Sequence, residues 1–546
     1  MLVEESRWLI EENRRLAEEN KQLKARLDEA LNAIAFQAEE IRRLKDEIAR
    51  LKGQKSRPKI PPSALEGAQS MDKQSDKNRV SRGKHPRRKK THIEIHARIR
   101  IKPETIPEGA VFKGCKRVAV QDIVFQPHNT IYELERWRLP DGAYIAGQMP
   151  RDIQGHYGPR LIGYILHQYH GCRVTEALLL DQLRDIGVLI SAGQLNNILT
   201  QGKGAFHQEK DELLLAGIAS TRQIKVDDTG ARHGGHNGYS TIIGNEYFTY
   251  VVSTESKSRI NFLEVLHGGK PCYLVNSDAV DYVETMSPTS WFCGYFLLRA
   301  QDQPMNWEEF GQFLRDMNLG SEGDKRLVTE AALFAGLVAK GIPKTLGVHG
   351  DDAGQFNVFV RSLCWVHEER HFRKLIPVDE EARQAIGDVR GRFWDLYKGL
   401  REYKCAPSGS QKLALEQAFD DLFLKTTTMS PTLNRQLRRT YEKKERLLRV
   451  LERPETPLHN NGTETDAREM VIKRKVSGGT RSEEGKRCRD TFVSLKKTCI
   501  KLGVNFWRYL EDRVEKRFAI PRLAQQVLIC SASQRTEPVV SQCPWG

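Results

Sequence analysis

Three stretches of the chain place a carboxylate where phosphoryl chemistry would need one. In RQIKVDDTGARH an apolar run closes at Asp227, with Asp228 beside it. In KTLGVHGDDAGQFN a second run closes at Asp351, followed by Asp352. In LHNNGTETDAREMVIKRKVSGG, Glu464 falls in the opening turn of a basic-flanked helix. Hard divalent cations such as Mg²⁺ or Mn²⁺ take oxygen ligands and keep positions open for phosphate and water. A pair of them about 4 Å apart activates an attacking oxygen and neutralises a leaving one. Three gathered carboxylates would repel one another without a cation. Singly, each acid reads as a surface charge; the order strand-end Asp, strand-end Asp, helix Glu carries the expectation.

A second pattern competes for attention. SLCWVHEERHF contains His367-Glu-Glu-Arg-His371, which fits the H-E-x-x-H spacing of zinc proteases. Histidines four apart share a helix face, and the intervening Glu can act as general base. A third ligand is missing, however, because the metzincin extension would need Gly and His where Lys374 and Pro377 stand. Asp395 is the lone acid in the downstream GRFWDLYKG segment. A structural Cys/His site at Cys364, His367 and His371 stays open as a minor alternative. The favoured assignment makes Trp365 and Phe372 core residues, with Cys364 and His367 close to the acidic site.

The elements that must position these groups span a chain of 546 residues with net charge +15, which points to a polyanionic partner. Residues 9 to 51 carry heptads, with Leu9, Leu16, Leu23, Ala30, Gln37, Leu44 and Leu51 at d and Asn13, Asn20, Leu27, Ile34, Ile41 and Ile48 at a. The pattern predicts a two-stranded coiled coil over 1–52, hence a homodimer or higher assembly. Residues 53–92 lose apolar periodicity and read as a flexible linker. Within it, SRGKHPRRKK offers Lys84, Arg87, Arg88, Lys89 and Lys90 to DNA phosphates. A small β module is expected over 93–155 and a helical region over 156–220. That region ends in a helix-turn-helix-like pair with a turn at Gly187 and an N-cap at Ser191. Gln194, Asn196 and Asn197 on its second helix are candidates for base contacts.

Residues 221–480 then form the catalytic core, 481–520 C-terminal basic helices and 521–546 a disordered tail. Residues 432–453 read as one long basic helix. Past Glu464, Arg468, Lys473, Arg474, Lys475 and Arg481 are further candidates for DNA contact. No apolar run approaches the roughly 18–20 residues of a membrane span. The acidic N-terminus is not a secretory signal. The ten cysteines include no C-x-x-C pair. A cytoplasmic, nucleoid-associated protein is expected.

Together these stretches resemble the insertion-sequence-66 family of bacterial transposases. The resemblance runs through the coiled coil, YGPRLIGYIL, VDDTG, GDDAGQFN followed by LCWVHEERHF, and HNNGTETDAREMVIKRK. It implies a multidomain α/β protein with an RNase H-like DDE core. It further implies Asp227, Asp351 and Glu464 as catalytic and metal-holding residues, Mg²⁺ or Mn²⁺ as cofactor, and cleavage and strand transfer of double-stranded DNA. The DNA would be the terminal inverted repeats and the target, handled with or without accessory transposition proteins. Asp228 and Asp352 compete with their neighbours, and Asp278 is the alternative second Asp. Asn460 and Asn461 shape the loop presenting Glu464. Two departures stand out: residues 53–150 hold only Cys115 where relatives carry a cysteine-rich module, and the core needs insertions at about 270–343 and 378–455. The rival function is a DNA-binding regulator that has lost catalysis; a zinc hydrolase is the third.

Overall fold

The computed structural model describes residues 95–535, apart from 102–104, 106, 109, 114, 116, 151–152, 154, 289–301 and 425–429. The coiled-coil stretch and the basic arm with Lys84, Arg87, Arg88, Lys89 and Lys90 lie outside the described residues. The chain divides into two compact units, Met1–Gln121 and Asp122–Gly546. The first has no helix or strand among its described residues. The second is mixed α/β. No helix among the described residues is long and apolar enough to cross a membrane.

Among the described residues of 93–155, the regular structure is one antiparallel ribbon, β1 (Arg136–Arg138) and β2 (Tyr144–Ala146), which pairs Trp137 with Ile145. Helix α1 (Pro159–Leu166) follows, then α2 (Glu176–Asp185) and α3 (Ala192–Thr200). Gly187, at φ +85, makes the turn between α2 and α3, a backbone state that costs glycine little. Ser191 caps α3 through a reciprocal box with Gln194, satisfying two orphan N–H groups. Helix α4 (Gly204–Ala219) leads into the sheet.

The sheet has five strands in the order β5-β4-β3-β6-β7. Strands β3 (Gln223–His233), β4 (His236–Gly244) and β5 (Thr249–Thr254) form an antiparallel meander. Strands β6 (Gly347–Gly350) and β7 (Val360–Leu363) run parallel to β3 on its other side. A parallel neighbour needs a crossover. Helices α5 (Arg259–Leu266), α6 (Ser277–Met286), α7 (Trp307–Asp316) and α8 (Glu322–Ala339) supply it, the last three of them within residues 270–343. Ile224 and Val226 of β3 enter the large core that these helices share.

After β7 come α9 (Trp365–Arg373), α10 (Glu380–Cys405), α11 (Gly409–Phe423) and α12 (Pro431–Tyr441). They close a second core around Trp365, Phe372, Phe393, Phe419 and Phe423. The single helix expected over 432–453 is broken: α12 stops at Tyr441, and two one-turn helices, Lys444–Leu447 and Arg449–Glu452, follow. The break turns Lys443 inward, where it meets buried Glu368. Helices α13 (Asn461–Ser477) and α14 (Glu483–Lys501) cover the remaining sheet face, burying Ile242 and Val251 against Ala467, Met470 and Val493. Helix α15 (Phe506–Val514) precedes α16 (Leu523–Arg535). The disordered tail expected from 521 therefore begins too early: Leu523 and Val527, four residues apart on one helix face, are fully buried.

Gly350 closes β6 so tightly on β3 that an added Cβ would lie 2.8 Å from the Val226 carbonyl oxygen. Gly350→Ala is expected to push the strands apart and cost about 1–3 kcal/mol. Thermal unfolding checks it; an unchanged midpoint would show that the strands yield without strain.

Candidate active site

The register of two parallel strands sets the first pair of acids. Gln223, Ile224 and Lys225 stand level with Gly347, Val348 and His349. Asp227 lies inside β3 rather than at its end as expected, and Asp351 is the first residue past β6, close enough for its charge to act on Asp227. Side chains alternate across a sheet, so Asp227 and Asp228 point to opposite faces. Asp227 shares its face with Ile242, the side covered by α13. Asp228 instead accepts a 2.6 Å hydrogen bond from Gln355, and the Thr241 hydroxyl opposite it on β4 also helps to offset its burial.

Charge crowding follows from this placement. Burial, then the charge of Asp351, pushes the Asp227 carboxyl up to about 7; Glu464 adds to the rise, while a 2.9 Å bond from the Asp228 N–H partly offsets it. Arg361, 4% exposed, braces the loop by donating to the carbonyl oxygens of Val348 and Asp351. Asp351 itself caps the next turn, accepting the Ala353 N–H at 3.1 Å. Asp352 is neutralised by Lys443 at 2.9 Å and Arg446 at 3.1 Å. Asp278 sits in the first turn of α6 and is paired with Lys344.

The third acid arrives on α13. Buried Asn460 donates to the Val226 carbonyl at 2.9 Å, tying the start of the helix to the strand just before Asp227. Its own carbonyl accepts the Glu464 N–H at 3.0 Å. The Glu464 carboxylate is held by Arg370 at 3.2 Å and faces His367 Nε2 at 3.4 Å. Arg370 went unnoticed in the sequence, although it lies three residues beyond His367 and therefore on the same helix face. Farther along α13, buried Glu469 is paired with Arg173 and Lys496. Burial alone would raise its carboxyl, but the hydrogen bond and charge of these partners bring it down to about 2. Arg173 reaches it from a left-handed backbone, at φ 65.

The zinc-protease alternative fails on α9. Glu368, which would have to be the general base, is 3% exposed and bound by Thr440 at 2.6 Å and Lys443 at 2.9 Å. Burial raises the Cys364 thiol, which disfavours the thiolate a zinc site requires. Trp365 and Phe372 are fully buried, as core residues should be.

The candidate DNA contacts fall into different environments. Gln194 is taken up by the α3 capping box and by Tyr157, whose hydroxyl lies 2.9 Å away. Asn196 and Asn197 are exposed on α3. Arg468, Lys475 and Arg481 are exposed beyond Glu464, and Arg474 donates to the Gly230 carbonyl. Lys473 does not reach solvent: it is 7% exposed, and burial pulls its ammonium down to about 7. Its position three and four residues from Met470 and Glu469 puts it on the inner face of α13. The expected surface contact at Lys473 is therefore corrected.

Between α9, the end of α12 and the Asp351 loop lies a cavity of about 760 Å³. Asp351, His367, Arg370, Lys374, Arg439 and Arg446 are among its walls. Asp227, Asp351 and Glu464 are oxygen donors of the kind Mg²⁺ or Mn²⁺ takes, and the raised Asp227 carboxyl registers negative charge that a cation would offset. Among the described residues, no three His, Cys, Asp or Glu groups are drawn together as a ready cation cage. Glu464 is engaged by Arg370 instead.

A sequence model described as Transposase IS66 family matches residues 353–488. The match takes in α9 and Glu464, while Asp227 and Asp351 precede it. The chain is also similar to an uncharacterized protein, y4jO, of Sinorhizobium fredii. The two are 36% identical over 304 residues, which is 55% of this chain and 94% of the relative.

The raised Asp227 carboxyl has a pH consequence. Its folded value of about 7 lies above the ordinary 3.8, so the native state binds the extra proton between those limits. Stability therefore falls as pH rises through that window. In protein freed of divalent ions, Asp227→Asn should raise the unfolding midpoint at pH 8, by about 1–3 kcal/mol of stability, with no gain at pH 4. Calorimetry at both pH values checks this; a lowered midpoint at pH 8 would mean the crowding is absent.

Proposed function

The chain belongs to the IS66 family of transposases, and from that premise we propose that it cuts DNA at the ends of an insertion sequence and joins the freed ends to target DNA. The observation that carries this proposal is the crowding of Asp227 by Asp351 and Glu464, three acids far apart in the chain. In this reading the five-stranded sheet is an RNase H-like core. Its order, an antiparallel meander with two parallel strands beside β3, supports that assignment. Asp227, Asp351 and Glu464 would hold Mg²⁺ or Mn²⁺. Once bound, such an ion supplies the charge that activates an attacking oxygen and stabilises a leaving one.

The chain's own groups do the positioning. Arg361 holds the Asp351 carbonyl, and Gly350 lets the strand before it close on Val226. Asn460 fixes the start of α13 against β3. Burial and Arg370 lower the His367 imidazole, and its Nε2 faces the Glu464 carboxylate, to which an Nε2–H would donate. Exposed Arg468, Lys475 and Arg481 would track phosphates, with Asn196 and Asn197 of α3 turned toward the duplex. The heptads of residues 9–51 would pair two protomers so that both ends are handled together.

Alanine at Asp227, Asp351 or Glu464 should abolish Mg²⁺-dependent nicking of duplexes bearing the ends of the encoding insertion sequence. Binding of the same duplexes should persist, as read by gel shift. Wild-type protein that binds these ends but never cuts them would leave a DNA-binding regulator in place of an enzyme.

A further inference from the structure

The cavity beside Asp351 holds more space than a phosphate contact calls for. At about 760 Å³ it falls among pockets that enclose a whole small molecule, roughly 300–1,000 Å³. Its charges are unevenly occupied. Arg370 is engaged by Glu464, Lys443 by Asp352 and Glu368, and Arg446 by Asp352. Lys374 at the end of α9 and Arg439 on α12 face the same cavity from separate elements. Among the described residues, neither has an ion-pair partner, and both are exposed. Two cations without an ion-pair partner on the wall of one cavity can take an anion.

Leu363 and Cys364, 3% and 1% exposed, line the cavity beside the His371 imidazole and the Arg370 and Arg439 guanidinium groups, together with the acids Asp351, Asp352, Glu368 and Glu442. Unstacked bases are received on such imidazole and guanidinium faces. A base inside a duplex is stacked on both sides and cannot enter a concave pocket; it does so only when turned out of the helix.

We propose that this cavity is a pocket for one nucleotide turned out of the duplex next to the cut site, its phosphate held by Lys374 and Arg439. The proposal rests on the transposase assignment for the nature of the polymer, but its test needs neither cleavage nor a divalent ion. Full-length protein is titrated, with chelator present, into two 20-base-pair duplexes, one fully paired and one with a single 2-aminopurine bulge. The bulged duplex should bind about tenfold more tightly, with a change in 2-aminopurine emission on binding. Lys374→Glu with Arg439→Glu should abolish the difference and the emission change, while some binding of the paired duplex remains. Both side chains are exposed, so the reversal leaves the two cores untouched, and Arg439→Gln should give an intermediate loss. Equal affinity for the two duplexes overturns the pocket, as does a double variant that weakens both alike, which would make these cations ordinary backbone contacts. Absence of cleavage by wild-type protein would instead sink the transposase assignment and leave this result standing.

Discussion

The structure turns on a conflict between strand pairing and charge. The parallel ladder between β3 and β6 ends just short of Asp227 and Asp351 and leaves the two charges near each other, and Gly350 lets the two backbones close to near contact. Backbone hydrogen bonding thus holds together two carboxylates that electrostatics would separate. Much of the surrounding architecture manages that conflict. Arg361 braces the Asp351 loop, Lys443 and Arg446 neutralise Asp352, and Arg370 holds Glu464. Among the described residues, Asp227, Asp228 and Asp351 are the acids at this point that form no ion pair, and the negative charge left unbalanced there is what raises the Asp227 carboxyl.

Two apolar cores divide the work around this point. The larger one supports one face of the sheet and the helices that cross between β5 and β6. The smaller one is closed by α9 to α12 around a cluster of aromatic rings. Glu368 and Lys443 fasten the second to the Asp352 loop. A loop of this length would be a poor wall for a binding site; a helical insertion with its own core holds cationic side chains at fixed places.

Much of this was legible in the sequence, and the misses have definite causes. Alternating Ile224 and Val226, the turn at Gly187 and the cap at Ser191 are local signals, and local chemistry realises them. Which of two adjacent aspartates faces α13 was not readable, because a one-residue shift along a strand changes the face and only the ladder fixes it. Lys473 looked like any other cation in a basic run. Its inward position depends on packing around Glu469 and Tyr169, which composition does not encode. The break after Tyr441 escaped notice because Lys and Glu continue a helix readily on propensity; the buried Glu368, distant in sequence, decides it. Leu523 and Val527 were too short a signal in a polar tail to announce a helix.

The clamp on Glu469 bears on how Glu464 can move. Arg173 adopts a backbone state uncommon for a side-chain-bearing residue and meets a carboxylate that is almost fully enclosed. Rolling or sliding α13 would strand that carboxylate in apolar surroundings, a change costing several kcal/mol. Asn460 pins the same helix at its other end. With α13 held at both ends, the Glu464 carboxylate can be repositioned through torsions of its own side chain and of Arg370 without displacing the helix.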